Sequence, residues 1–265
     1  MGCRKTGFPD LDRSIGGLWS GDLVLIAACD DSGKTALALN IAEHLALKQG
    51  LSAAYFSTHM GVEQITTRLL ASIGRISLDS LRTGVMSEHE GLRFDAATQE
   101  LLGSAIHVEA MLGWEFINLR KRALTLAQRY GRLGLLVIDS LDYLDLRPQS
   151  VAWDSVQRSI QLQQCAMLSA ELKCPVIALV RISEVIEVRG DARPVLSDLA
   201  LSVKGLKSIQ TILSIYREDQ YAAGECLEPG IAQIKVLQNR LGQAASLKLA
   251  FLERIAKFES LAFSE

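Results

Sequence analysis

The sequence predicts an α/β fold: a mostly parallel, twisted sheet with helices on both faces. Three observations predict it. Short apolar runs recur along the chain, helical patterns separate them, and the C-terminal part contains further strands without intervening helices. Alternating strands and helices at this spacing are typical of a doubly wound parallel sheet. At 265 residues and 49% hydrophobic content, the chain suits a single domain over residues 1–265 with a sizeable core.

Five apolar runs, mostly free of charge, are predicted to be parallel strands covered on both faces: 22–28, 52–57, 105–110, 133–139 and 175–180. Helical patterns connect them: 34–49, 61–73, 87–102, 114–130 and 151–173. In the last pattern, Val156, Ile160 and Met167 recur at helical spacing, and we expect this apolar face to continue through Leu172.

Three strands at the end of the chain, 211–217, 231–238 and 246–252, follow one another with turns and no helix. We expect them to extend the sheet as antiparallel strands at its edge. The polar segments 181–194 and 217–230 are predicted to be surface loops. The first follows the end of a strand, where ligands of such sheets bind.

Bulk composition narrows the class of protein. A net charge of −2 and a pI near 6.1 do not indicate a dedicated nucleic-acid binder, although they are compatible with a local basic patch. Five scattered cysteines without a CxxC pair predict reduced thiols rather than disulfides or a zinc site. No apolar run is long enough to suggest a membrane span. These features predict a cytoplasmic protein.

The stretch "LVLIAACDDSGKTALALNIAEH" (23–44) reads as a buried strand, a tight turn and a helix. It matches the phosphate-binding pattern G-x-x-x-x-G-K-[ST], with Ala28 in place of the first glycine. Amide groups and the helix N-terminus would cradle phosphates, Lys34 would neutralise the β- and γ-oxygens, and Thr35 would hold Mg²⁺. An ordinary strand-turn-helix is the alternative. The predicted nucleotide-binding residues are Cys29, Asp30, Asp31, Ser32, Gly33, Lys34, Thr35 and Ala36.

The tip of the strand 133–139 carries the predicted partner of that loop. Asp139 would share the Mg²⁺ of a bound ATP with Thr35, although a helix cap or a plain strand-end carboxylate is the alternative. Asp30 and Asp31 bring negative charge into the loop, at a Coulomb cost of about 1 to 4 kcal/mol for a like charge a few ångströms away. Because the loop presents its backbone to phosphates, we expect both side chains to point to solvent and to weaken binding at most, unless one folds inward.

A family resemblance begins just ahead of the loop. "TGFPDLDRSIGGLWSGDL" (6–23), followed in order by "GLLVIDSLDYL", "CPVIALVR" and "RPVLSDL", resembles the C-terminal motor domain of DnaB-type replicative helicases over essentially the whole chain. KaiC-like and RadA-like ATPases are more distant relatives. The resemblance implies a RecA-like P-loop NTPase core that forms a six-membered ring around single-stranded DNA, with ATP between neighbours. Because Thr6 and Gly7 already match the motor, the N-terminal domain of such helicases is expected to be absent.

Two positions that catalyse hydrolysis in the family are exchanged. His59 stands where the family has the glutamate that activates the attacking water, and Glu63 is a weaker substitute. Arg181 stands where the family has a glutamine that senses the γ-phosphate. Its permanent charge could pair with phosphate, or equally with Asp139 or Asp142.

Positions that act on neighbours and on DNA are partly exchanged too. The family's Lys-x-Arg finger, which acts in trans, corresponds to Gln238 and Arg240 in "LQNRLG". In the DNA-gripping loop an arginine position is occupied by Ala200, which leaves Lys204 and Lys207 as the nearest cations. Weakened binding of single-stranded DNA is the consequence expected.

Tyr216 and Arg217 resemble the family segment near the adenine, so the resemblance adds Arg217 to the predicted nucleotide-binding residues, but a strand-end aromatic with a surface arginine fits as well. Together the motifs predict an oligomeric, ATP-binding, DnaB-like hydrolase of DNA replication with weakened hydrolysis. The alternatives are a degenerate scaffold that regulates a helicase or another replication protein, and a KaiC/RadA-like switch ATPase. Lys34 and Arg240 favour retained use of nucleotide, and the exchanged positions favour the scaffold.

Overall fold

One mixed sheet organises the computed structural model, which describes residues 2–145, 155–182, 186, 189, 191–199, 201–221, 226–242 and 244–261. In these residues nine strands are present: β1 (Leu23–Ala28), β2 (Ala53–Ser57), β3 (Ile106–Ala110), β4 (Leu135–Asp139), β5 (Val176–Arg181), β6 (Thr211–Arg217), β7 (Ile231–Gln238), β8 (Ala245–Leu252) and β9 (Lys257–Ser260). Their order across the sheet is β3-β2-β4-β5-β1-β6-β7-β8-β9. The first six are parallel, and β7 to β9 are antiparallel.

Helices cover both faces of this sheet. The α-helices of the described residues are α1 (Pro9–Ile15), α2 (Lys34–Gln49), α3 (Val62–Gly74), α4 (Leu78–Thr83), α5 (Glu88–Leu102), α6 (Phe116–Arg129), α7 (Ser155–Leu172) and α8 (Val203–Lys207). Alternate residues of β1 enter opposite cores, because successive strand side chains point to opposite faces. Val24 and Ile26 pack with α1, α2 and α3, whereas Leu23 and Leu25 pack with α6 and α7. The predicted α/β fold class is confirmed.

Two details of the predicted sheet were wrong. The strand 211–217 was expected to be antiparallel, but β6 runs parallel to β1, because the N–H of Gln210 donates to the carbonyl of Leu23 and both strands begin at the same end. The strand 105–110 was expected to be covered on both faces. β3 is instead half-buried, because it forms the edge of the sheet beside β2.

The apolar face predicted for the helix 151–173 was also wrong in part. Residues 151–154 lie outside the described residues, and Val156, Ile160 and Met167 are exposed. The buried face carries Leu162, Cys165 and Leu168, with Leu172 as predicted. Apolar residues occupy both sides of α7, so spacing alone could not select the side that faces the sheet.

Short elements were missed because they contain too few residues to show a period. These are α1, α4, α8 and β9. The single-domain organisation over 1–265 stays a prediction. In the part of the chain that the structure describes, no helix is both long and apolar enough to cross a membrane.

The missed strand β9 supports the loop that follows β1. The ring of Phe258 stacks on Phe251 of β8, with centroids 4.4 Å apart. Both rings lie beneath Gly33, whose backbone has φ +97° and where a Cβ would come within 2.8 Å of Phe258. A glycine is therefore required at this point by conformation and by space.

We predict that Phe258→Ala lowers the free energy of unfolding by about 3 kcal/mol, because it removes a buried aromatic side chain and leaves a cavity under the loop. Urea denaturation monitored by circular dichroism measures this. Leu92→Ala, at an exposed position of α5, is the control and should change stability by less than about 0.5 kcal/mol. Similar losses in both variants would contradict the packing role of Phe258.

Candidate nucleotide-binding site

The carboxyl ends of the parallel strands surround a cavity of about 490 Å³. β1, β2, β4 and β5 all end there, because parallel strands begin and end at the same edges of a sheet. The structure brings most of the predicted site residues to its wall: Asp30, Asp31, Gly33, Lys34, Thr35, Ala36, His59, Asp139 and Arg181. Cys29 and Ser32 are buried within the loop, behind the residues that line the cavity.

The loop between β1 and α2 places Lys34 at the N-terminus of α2. Its Nζ donates to the carbonyls of Ala28 (3.0 Å) and Cys29 (2.7 Å) and lies 3.6 Å from Oδ1 of Asp30. Burial lowers the pKa of the Lys34 ammonium, and the carboxylates of Asp30, Asp142 and Asp139 oppose this effect. A partly buried ammonium beside the N-terminus of a helix is suited to bind phosphate oxygens.

The Thr35–Asp139 pair, predicted as the metal site, is brought together by this fold. Oγ1 of Thr35 donates to Oδ2 of Asp139 at 2.7 Å, and the buried hydroxyl of Tyr55 in β2 donates to the same oxygen at 2.6 Å. Burial and the neighbouring Asp139 raise the pKa of Tyr55 well above its ordinary value, so the phenol stays a donor. Hydroxyl and carboxylate oxygens are the ligands Mg²⁺ takes when phosphates and water supply the others, so these residues fit that ion.

His59 lies against the same carboxylate. Its Nδ1 is 3.2 Å from the carbonyl oxygen and 3.9 Å from Oδ1 of Asp139, and its ring stacks on Tyr143 with centroids 5.1 Å apart. It therefore faces the cavity, as predicted from its position after β2. Glu63 is exposed on the first turn of α3 and does not line the cavity.

The side chain of Arg181 forms an ion pair with Asp30, a pairing that the sequence did not indicate. Its Nη1 lies 3.3 Å from Oδ2 of Asp30, whereas Oδ2 of Asp142 accepts the backbone N–H of Arg181 at 2.7 Å. The hydrogen bond with Asp30 raises the pKa of the guanidinium. The side chain of Asp30 is 55% exposed, as expected for a loop carboxylate that points to solvent. It nevertheless turns towards the cations of Arg181 and Lys34.

Arg217 is buried, which excludes the reading of a surface arginine. It is 6% exposed and donates to the carboxylates of Asp219 and Glu253 and to the carbonyl of Asp31 at 3.2 Å. It does not line the cavity, so it supports the phosphate loop from behind. Ser32 is fixed there too, since its hydroxyl donates to Gln220 at 3.0 Å.

The residues predicted to act on neighbours or on DNA lie elsewhere. Arg240 forms an ion pair with Asp22 at the beginning of β1, a strand length of roughly 17 Å from its own phosphate loop. The side-chain amide of Gln238 donates to the carbonyl of Ile209 at 2.6 Å. Lys204 and Lys207 are exposed on α8, and Ala200 lies outside the described residues.

Two supporting residues were missed from the sequence. Tyr55 occupies a buried strand, where a tyrosine needs a partner for its hydroxyl, and that need was the available signal. Arg158 in α7 donates to Oδ1 of Asp142 at 2.8 Å, and no local pattern indicated this pair.

The parallel sheet, the loop with Lys34 and Thr35, and the carboxylate at the end of β4 define a RecA-like P-loop NTPase core. The sequence profile of the family described as "DnaB-like helicase C terminal domain" matches residues 4–260. The chain therefore belongs to this family, and the resemblance found from its motifs is confirmed.

Curated relatives of the chain agree with this family membership. The chain is 34% identical over 258 residues to the replicative DNA helicase DnaC of Bacillus subtilis, and 32% identical over 263 residues to the replicative DNA helicase DnaB of Geobacillus stearothermophilus. Each match covers 97% of this chain and 56% of the relative, so the chain spans about half their length.

A solved DnaB-like replicative helicase, described with its interactions with primase, superposes with a TM-score of 0.88 at 26% identity over 98% of this chain and 62% of that one. The RadB recombinase shares the fold alone, with a TM-score of 0.58 at 18% identity over 98% of this chain and 100% of that one.

We predict that Tyr55→Phe lowers the free energy of unfolding by about 1–2 kcal/mol, because the buried carboxylate of Asp139 loses a hydrogen-bond donor. Chemical denaturation near pH 7 measures the loss. Tyr130→Phe, at an exposed position, is the matched control and should be close to neutral. Equal stability of Tyr55→Phe and the wild type would show that the hydroxyl is not needed by Asp139.

Proposed function

We propose that this chain is the ATP-binding motor part of a DnaB-like helicase, and that it hydrolyses ATP slowly. The observation that carries this proposal is the contact between Thr35 and Asp139, at the end of the cavity beside Lys34. It joins the two halves of the proposed phosphate-and-magnesium site, one at the first turn of α2 and the other at the end of β4.

In this proposal the chain's own groups bind the triphosphate. The amides of the loop and the N-terminus of α2 bind phosphate oxygens, and Lys34 neutralises their charge. Thr35 and Asp139 would hold the Mg²⁺, which would supply positive charge opposite the β- and γ-phosphates. The side chains of Arg217 and Ser32 hold the loop in shape from behind.

Slow hydrolysis is proposed because the groups that activate water and sense the γ-phosphate are exchanged. The imidazole of His59 lies against Asp139 where a water-activating carboxylate would be needed. Loss of a general base typically lowers the rate by about 10²–10⁴-fold. Arg181 is already paired with Asp30, which limits its use as a sensor.

We propose a homo-oligomer in which Arg240 acts on the nucleotide of a neighbour. Its distance from its own phosphate loop, at the other end of β1, supports action in trans. The relatives are replicative helicases, so single-stranded DNA and replication proteins are the proposed partners. The exposed Lys204 and Lys207 would contribute to weak binding of the strand's phosphates.

The rival is a non-motor scaffold that binds and regulates a helicase or another replication protein. The pairing of Arg181 with Asp30 favours the scaffold, because it neutralises a positive charge that a motor would direct at the phosphate. The motor reading is preferred because Lys34 lines the cavity and the hydroxyl of Thr35 lies against the carboxylate of Asp139, which supports a shared phosphate and metal site.

We predict that His59→Glu accelerates phosphate release by about ten- to a hundredfold, because a carboxylate at this position accepts the proton of the attacking water. The assay measures phosphate from MgATP in multiple-turnover conditions, with and without single-stranded DNA. Lys34→Ala in the His59→Glu background should abolish the gain, and it should also remove the thermal stabilisation by MgATP.

The outcomes separate the two functions. Stabilisation by MgATP without any gain in His59→Glu would favour the scaffold. No stabilisation of the wild type, or stabilisation that survives Lys34→Ala, would contradict nucleotide binding at this loop.

A further inference from the structure

The carboxylate of Asp30 lies between two cations of the nucleotide cavity. Oδ1 is 3.6 Å from Nζ of Lys34, and Oδ2 is 3.3 Å from Nη1 of Arg181. Both cations line the cavity, one from the phosphate loop and the other from the end of β5. The ends of these strands are adjacent, since Ala28 and Arg181 are register partners of β1 and β5.

The two cations that contact Asp30 are also the kind of groups that would contact a terminal phosphate. A carboxylate and a phosphate each offer negatively charged oxygens, and a lysine and an arginine are the cations that bind either. We propose that Asp30 is a built-in competitor for the γ-phosphate, so that a triphosphate must separate this carboxylate from Lys34 and Arg181 before it binds fully. This inference rests on the proposed function, because it assumes that the cavity binds nucleotide.

The competition has a consequence for selectivity. A diphosphate with a shorter chain places less charge near Arg181, so it displaces Asp30 less. The γ-phosphate of a triphosphate would lie beside the carboxylate. Its binding free energy is therefore reduced by the loss of two ion pairs and by like-charge repulsion. Asp30 therefore shifts the preference of the site from the triphosphate towards the diphosphate.

Asp31 supplies a matched comparison. It is the next residue of the same loop, carries the same charge and is exposed, and it lines the same cavity. Among the described residues it forms no ion pair, and its carbonyl accepts from Arg217. Removing its charge tests general repulsion, whereas removing the charge of Asp30 tests the bridge between two cations as well.

The experiment is isothermal titration of the wild type, Asp30→Asn and Asp31→Asn with a non-hydrolysable MgATP analogue and with MgADP. For exposed pairs of this kind we expect Asp30→Asn to tighten analogue binding about three- to tenfold. Binding of ADP should change less than about twofold by the same reasoning, and Asp31→Asn should give a smaller gain for the analogue. The gain should shrink in about 0.5 M salt, because salt screens exposed charges.

A double-mutant cycle with Arg181→Gln supplies an independent readout. In the wild type Arg181→Gln removes a phosphate contact and also the ion pair with Asp30 that the analogue has to break, so analogue binding should change little. In Asp30→Asn the guanidinium is released to the phosphate, so the same substitution should weaken binding several-fold, about threefold or more.

The results distinguish failure of this inference from failure of the proposed function. Equal gains in Asp30→Asn and Asp31→Asn, or additive effects in the cycle, would overturn the inference and leave the proposed function standing. Absence of nucleotide binding in every variant would overturn both. Thermal unfolding of the variants without ligand serves as the folding control, since both aspartates are exposed.

Discussion

The hydrogen bond from Thr35 to Asp139 is the contact on which the rest of the site depends. It joins the first turn of α2 to the end of β4, two elements that are distant in sequence, and Tyr55 fixes the same carboxylate oxygen from β2. A buried carboxylate needs such donors, because an unpaired charge inside a protein is costly. The three residues thus position one another, and Lys34 is carried to the cavity by the same helix.

Binding and cleavage of a triphosphate place different demands on the chain. Binding uses backbone amides, a helix N-terminus and one ammonium, all of which are local to the loop after β1. Cleavage needs side chains from other strands at defined distances from the γ-phosphate. The exchanged residues His59 and Arg181 follow β2 and end β5, whereas the loop itself keeps Gly33 and Lys34. Under the proposed function, this division separates the groups that bind the nucleotide from the groups that set the rate of its cleavage.

Much of this architecture could be predicted because its signals are local. The apolar run of β1, the loop after it and the terminal Asp139 of β4 lie in short continuous stretches. The direction of β6 could not be predicted, since it depends on how the chain crosses the sheet before Gln210. The pair of Asp30 and Arg181 was missed because the residues are 151 positions apart and meet only through the pairing of β1 with β5. The burial of Arg217 likewise depends on carboxylates that the sheet edge brings to it.

In the proposed function, MgATP binds at the loop through Lys34 and the chemical step is slow. Single-turnover quench-flow, with enzyme in excess over radiolabelled MgATP, tests both parts at once. The predicted result is rapid formation of a complex that survives many seconds before the γ-phosphate is cleaved. Cleavage as fast as complex formation, or no complex at all with the intact chain, would contradict the claim.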